Sequence, residues 1–169
     1  MTEKDKGVIQ GDGAFIFFLL TGKETGMDKL DYEILECLKR NSREKASAIS
    51  RQINLSVSAV LERIHKMETQ GVIKGYTVVT NKKMLGMGML AVMEISLEHP
   101  KYYDSFTGII QSMSEIVSCY YMTGDFDFIL KIYAQDSDDL ERIHKRIKSI
   151  HGVSSTRTYI TLKTVKEEF

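Results

Sequence analysis

Proline occurs once in 169 residues, at Pro100, and cysteine twice, at Cys37 and Cys119. Two distant cysteines with no CxxC spacing argue against a disulfide scaffold and a zinc site, and fit a reducing cytoplasm. With one proline and no long Ser/Gly linker, most of the chain is expected to be ordered. Neither sign of charge is in excess: Lys plus Arg and Asp plus Glu each number 23. Global charge therefore gives no pull toward nucleic acid, and any basic face must be local. A membrane-length apolar run is missing as well. AFIFFLL, at 14–20, has seven residues, far short of the ~20 that span a bilayer, so no membrane partner is expected.

What remains is ordinary for a globular chain of one or two small domains: 43% hydrophobic and 27% charged residues. Residues 1–26 stand apart. Lys4 and Lys6 precede the apolar run, but Gly11 and Asp12 interrupt the charged region and no small-residue cleavage site follows. The segment is read as an extra N-terminal piece ahead of a functional start at Met27. The alternative is a strand or short helix that packs on a partner chain.

Beyond it the pattern turns helical. Leu30, Ile34, Leu35 and Leu38 recur at helix spacing, with Asp28 and Asp31 at the end where negative charge suits the helix dipole. A second helix is expected over 45–53, with Ala46, Ile49 and Ile53 inward. Asn54-Leu55-Ser56 makes a tight turn, because Asn tolerates left-handed backbone and Ser56 is a good N-cap. The third helix is expected over 57–70, with Val57, Val60, Leu61, Ile64 and Met67 as its apolar stripe and Gly71 as its left-handed stop. Two short helices joined by such a turn make a helix-turn-helix. The outward residues of the third helix would be Ser58, Ala59, Glu62, Arg63 and Lys66, small at the start and longer one turn later, as groove reading requires. The same face would also suit a merely solvated three-helix bundle. Residues 27–81 carry nine Lys/Arg against seven Asp/Glu. So slight an excess binds phosphate weakly in a monomer, and DNA binding would call for a dimer or larger. VIKGYTVVT, 72–80, has strand character and would serve as a wing or linking strand. Residues 81–88 would be a hinge.

The second half alternates. A strand at 89–97 carries Met89, Ala91, Met93, Ile95 and Leu97 on one face. An amphipathic helix carries Tyr102, Phe106, Ile109, Ile110 and Met113. Strands follow at 116–122 and 127–134 around a Gly124-Asp125 turn. A helix marked by Leu140, Ile143, Ile147 and Ile150 ends at Gly152, and a long strand runs over 153–165. The order βαββαβ is that of a ferredoxin-like domain. Both helices would cover one sheet face, and the other needs a cover, most simply a second copy of the chain. Cys119, Tyr121, Ile129 and Tyr133 share one parity and are candidates for that face.

In TGDFD, 123–127, Gly124 can supply the positive φ of a two-residue hairpin turn. That leaves Asp127 unexplained, since it opens an otherwise apolar strand. Two close carboxylates repel unless a cation sits between them. A metal would need further ligands, and His65, His99, His144 and His151 show no ligand spacing near the loop. A catalytic dyad would need a pocket and a nucleophile. A ligand ammonium is the more economical cation. A backbone N–H at Gly124 or Asp125 could then hold a carboxylate, together suiting an α-amino acid.

The chain resembles the Lrp/AsnC (leucine-responsive, feast/famine) family of transcription regulators from Met27 to Glu167. The resemblance is carried by LDYEIL (30–35), SREKASAISRQINLSVSAVLERI (42–64), METQGVIKGY (67–76), TGDFDFILKI (123–132) and GVSSTRTYITLKTVKE (152–167). It implies an α+β protein: a winged helix-turn-helix at 27–80, a linker at 81–88 and a ferredoxin-like βαββαβ ligand-binding and oligomerisation domain at 89–169. It implies double-stranded DNA as partner, through Arg43, Ser56, Ser58, Ala59, Glu62, Arg63 and Lys66. It implies a small effector, an amino acid, held between dimers by Thr123, Gly124, Asp125 and Asp127, with Thr158 and Ile160 supplied by a neighbouring subunit. A homodimer assembling to an octamer is implied, with no cofactor, no metal and no enzymatic activity. The chain departs from the family pattern at Lys45, where a Ser or Thr helix cap is usual, and at Ala48 in place of Glu, so the capping box of the second helix is absent. That omission costs roughly 1 kcal/mol locally. Asn54 replaces a turn glycine, and Val57 stands where Pro often opens the third helix. Two other readings compete: a metabolite-sensing module acting through protein partners without DNA, which would want an acidic or apolar third helix, and a metal-dependent enzyme built on Asp125 and Asp127.

Overall fold

The structure, a computed structural model, describes residues 26–167. The expectations for residues 1–25 lie outside the described residues. The chain divides into two compact units between Val78 and Val79.

The first unit holds three helices: α1 (Lys29–Arg40), α2 (Ala46–Ile53) and α3 (Val57–Thr69). Asp28 and Asp31 form a reciprocal capping box at the start of α1, each side chain accepting the other's backbone N–H at 3.0 Å. Two otherwise orphaned donors are thereby satisfied. Lys45 precedes α2 without a side-chain cap. The turn into α3 runs through Asn54 at φ 55°, ψ 43°, and the Ser50 hydroxyl locks it by donating to the Leu55 carbonyl at 2.6 Å. Ser56 caps α3 by accepting the Ala59 N–H at 3.1 Å. Ile34, Cys37, Leu38, Ile49, Val60 and Met67 form the core.

The expected apolar stripe of α3 holds at Val60, Ile64 and Met67 but not at its edge. Val57 is 42% exposed and Leu61 54%. At ~100° per residue, Val57 and Leu61 lie on one shoulder of the arc centred on Val60, and Arg63 lies on the other. The core takes the Arg63 shoulder. The expected strand over residues 72–80 is absent: no ladder forms there, since the described chain offers no partner strand, and Val78 and Val79 stand in solvent. Residues 81–88 form a hydrogen-bonded turn in which Asn81 Oδ1 accepts the Met84 N–H and the Lys82 carbonyl accepts from Leu85 and Met87.

The second unit contains β1 (Met89–Leu97), α4 (Tyr103–Gln111, after a 3-10 turn at Pro100–Tyr102), β2 (Ile116–Tyr121), β3 (Phe128–Ala134), α5 (Ser137–Lys148) and β4 (Val153–Ile160). The sheet is antiparallel with order β2-β3-β1-β4, the expected ferredoxin-like arrangement. Asp136 caps α5 by accepting the Asp139 N–H at 2.9 Å. The core packs Ala91, Met93, Ile95, Leu130 and Ile132 of the sheet against Phe106, Ile110, Leu140, Ile143 and Ile147 of the helices. Gly152 turns α5 into β4 at φ 91°, and a Cβ there would lie 2.2 Å from the Tyr102 ring.

Four expectations need correction here. Cys119 and Tyr121 do not share a face with Ile129 and Tyr133. Tyr121 pairs with Phe128 and Cys119 with Leu130, so beyond the register shift after Ile116 the odd positions of β2 face the helices while Ile129 and Tyr133 face away. Ile109 is 40% exposed, because Phe106, Ile110 and Met113 take the core-facing positions of that segment. β4 stops at Ile160, not at Val165, for β1 ends as its partner just beyond Leu90, which accepts the Thr161 N–H. The β2–β3 connection is a six-residue loop, 122–127, not a two-residue turn.

Candidate nucleic-acid interface and effector loop

The first candidate site is the solvent side of α3. Ser56 and Ser58 sit at its N-terminal end with their hydroxyls 3.0 Å apart. Ser58 and Glu62 are exposed, and Ala59 is half-buried. Lys66 is exposed, with its ammonium donating to the Gly26 carbonyl at 3.0 Å. Arg43 is exposed in the α1–α2 loop, its backbone N–H donating to Asn41 Oδ1.

Arg63 is placed differently from its expected outward position. One guanidinium nitrogen lies 2.7 Å from both Asp28 Oδ2 and Asp31 Oδ1. The Asp31 side chain is only 2% exposed. A carboxylate so buried must be paired and hydrogen-bonded, and Arg63 supplies the pair. The hydrogen bond from Arg63 holds the Asp28 carboxyl below the usual aspartate range, and the two carboxylates, Asp31 first, raise Arg63. Arg63 thus ties α3 to the start of α1. The outward arc of α3 is instead Val57, Ser58, Leu61, Glu62 and His65. Sequence reasoning assigned Val57 and Leu61 to the core and passed over His65. The signal that separates them is the angular step from Val60, combined with two acids at the start of α1 that pair with Arg63 of another helix. Arg40, Lys45 and Arg51 are further exposed cations in this unit.

The second candidate site is the loop at 122–127. The Met122 N–H donates to the Asp127 carbonyl at 2.7 Å and closes it. Gly124 sits at φ 132°, a conformation other residues rarely adopt. Thr123, Gly124 and Asp125 are exposed. Asp127 is half-buried, and its Oδ2 accepts the Leu97 N–H at 2.7 Å. Its own N–H donates to the Ile95 carbonyl at 2.8 Å. Asp127 therefore ties the loop to the end of β1 at the bulge between Ser96 and Leu97, a structural role that no local pattern announces.

Thr158 and Ile160 lie on β4, opposite Met93 and Ala91, on the helix side of the sheet. The Thr158 hydroxyl is shut off from solvent without a hydrogen-bond partner. β4 and β3 are separated by β1. Ile160 is thus two strand spacings, ~10 Å, across the sheet from β3 and four residues, ~13 Å, along it from Phe128. One chain does not bring these residues together with the loop. Beside the loop, between α4 and β2, runs a cleft of about 490 Å³ whose lining includes Tyr103, Thr107, Gln111, Ser118, Cys119 and Tyr121. Tyr103 and Tyr121 meet edge-to-face at 5.1 Å. Burial pushes the Cys119 thiol up. The misassigned parity of β2 hid this cleft from the sequence. Among the described residues no three His, Cys, Asp or Glu side chains cluster as metal ligands, and no helix is long and apolar enough to cross a membrane.

A helix-turn-helix followed by a separate βαββαβ domain is the make-up of a DNA-binding transcription regulator. An AsnC-type helix-turn-helix domain model matches residues 27–68, and an Lrp/AsnC ligand binding domain model matches residues 90–169. The leucine-responsive regulatory protein of Haemophilus influenzae is 32% identical over 148 residues, 86% of this chain and 89% of that protein. Among solved structures, Escherichia coli AsnC superposes with a TM-score of 0.80 at 28% identity, covering 85% of this chain and 97% of that one. The transcriptional regulator NMB0573 of Neisseria meningitidis, solved as an L-Met complex, gives 0.81 at 25% identity, covering 84% and 94%. The chain belongs to the Lrp/AsnC family of transcriptional regulators, and it is not an enzyme.

Proposed function

We propose that the protein is a sequence-specific regulator whose α3 enters the major groove and whose second domain binds a small effector, an amino acid. The DNA arm is carried by the helix-turn-helix that the AsnC-type domain model matches over residues 27–68, with α3 as its outward helix. That helix begins at a side-chain-capped N-terminus, offers Ser58 and Glu62 to base edges, and is set in place by Arg63 from behind. In this reading Ser56, Ser58, Ala59, Glu62, Arg43 and Lys66 meet the duplex, while Arg63 orients the helix. A gel-shift titration on the protein's own upstream region tests it. Binding at low salt that falls about a thousandfold between 50 and 200 mM salt is expected of an assembly making many phosphate contacts. No shift at any salt concentration would overturn the reading.

The assembly is a homodimer that builds to an octamer. The helix-free sheet face supports it, because Val92, Tyr120, Ile129, Tyr133 and Tyr159 share that face while both helices of the second unit pack on the other. A solution mass of one subunit at micromolar concentration would speak against it. For the effector, Asp125 takes the ammonium and the backbone around Thr123 and Gly124 takes the carboxylate. Asp127 positions the loop, and Thr158 and Ile160 of a neighbouring subunit complete the wall. The L-Met bound by the Neisseria meningitidis regulator supports an amino acid as ligand class. A thermal-shift screen of the amino acids tests this, since a ligand that binds only the native state raises the melting temperature.

A further inference from the structure

We propose that Val57 and Leu61 read thymine by packing on its C5-methyl group, so that this regulator selects its sites through methyl contacts more than through arginine–guanine pairing. The inference rests on the DNA-binding reading and names the chemistry of that face.

Three observations carry it. First, Val57 is 42% exposed and Leu61 54%, while Val60 and Met67 of the same helix fill the core. They are four residues apart, on one side of the helix and ~6 Å along its axis. At ~3.4 Å per base step, that distance spans about two base pairs, so both can face the same groove floor. Second, they adjoin Ser58 and Glu62, which are exposed on the same arc. A hydroxyl accepts or donates to any base edge, and a carboxylate accepts from the cytosine amino group. The arc therefore has a polar half and an apolar half, and the thymine methyl is the apolar feature that a major groove presents. Third, the residue best suited to guanine is occupied. Arg63 is the only arginine within Val57–Thr69, and both of its carboxylate contacts at 2.7 Å hold it against α1. The reading end of α3 is left with methyl groups, hydroxyls and one carboxylate.

The test uses the full chain and a duplex that it selects from a random pool. Each thymine is replaced in turn by deoxyuridine, which keeps base pairing and removes only the methyl group. Wild type is expected to lose about fourfold in affinity at one or two positions, the worth of one buried methyl. Leu61→Ala and Val57→Ala should each weaken the thymine duplex by a similar factor and abolish the thymine–uracil difference at one of those positions. Both side chains lie outside the core cluster, so the variants should keep a cooperative melt within a few degrees of wild type. Wild-type binding indifferent to every uracil substitution would overturn the proposal while leaving DNA binding intact. So would undiminished thymine preference in both variants. Failure to select any duplex would bring down the DNA-binding reading itself, and this inference with it.

Discussion

Arg63 on α3 and Asp31 at the start of α1 meet at 2.7 Å, with the Asp31 side chain 2% exposed. The pair sits where two helices of a small bundle would otherwise meet through apolar side chains. Arg63→Ala should therefore destabilise the first unit by about 3 kcal/mol, because it leaves a buried carboxylate unpaired. Replacing both, Arg63→Met with Asp31→Leu, should recover part of that loss. Urea melts followed by circular dichroism would show it; an Arg63→Ala variant that loses DNA affinity at unchanged stability would mean the arginine reads DNA directly.

Acid should unfold the second unit through Glu115 and Asp139. The backbone N–H of Glu115 itself and then the Arg142 guanidinium hold its carboxyl below the ordinary range. For Asp139 the Gln135 N–H comes first and Arg142 second. A carboxyl depressed in the folded state stabilises above its unfolded value and loses that contribution as pH falls through the folded one. The window thus opens below about pH 4.3. Arg142→Met should lower the melting temperature slightly at pH 7 and flatten its fall below about pH 4.3. Part of the fall should persist, since the backbone donors remain.

Asp125 and Asp127 should separate under mutation. Asp127→Ala strands the Leu97 N–H, and leaving a buried donor unmade costs about 1–3 kcal/mol. Asp127→Asn keeps an acceptor oxygen and should cost less. Asp125→Asn, at an exposed position, should leave the melting temperature unchanged while erasing the shift produced by an amino-acid effector. Thermal melts with and without the effector distinguish the two residues.

Gly152 should tolerate no side chain. Gly152→Ala imposes a positive φ on alanine and drives its Cβ into the Tyr102 ring, for a loss of about 2–4 kcal/mol. Gly71→Ala shares the positive φ but meets open space, so about 1 kcal/mol is expected. Chemical denaturation of both variants gives the comparison.

Much of this fold was readable from local chemistry. Asn54, Ser56 and Gly71 mark the turn, the cap and the stop of α3, and each acts where its own backbone or neighbour needs it. What escaped depends on partners distant in sequence. Leu61 and Arg63 lie on opposite shoulders of one helix, and only the acids of α1 decide which turns inward. Tyr121 faces the helices because a six-residue loop pairs it with Phe128, a register that alternation within β2 does not contain. The structural duty of Asp127 was hidden because it accepts from Leu97, thirty residues earlier. β4 alternates well past Ile160, but a ladder lasts only as long as its neighbour. The candidate sites followed the same rule: the exposed loop at Gly124 was evident, while the cleft beside it, assembled from α4 and β2, was not.

The carboxylates that begin α1 also index α3. Because Asp28 and Asp31 grip Arg63 in the free protein, the azimuth of the reading helix is settled before any duplex arrives. Docking then forfeits little torsional freedom at that element. The grip is ionic, so a change at either acid would be felt as a rotated and blurred reading head, some distance from the substituted residue.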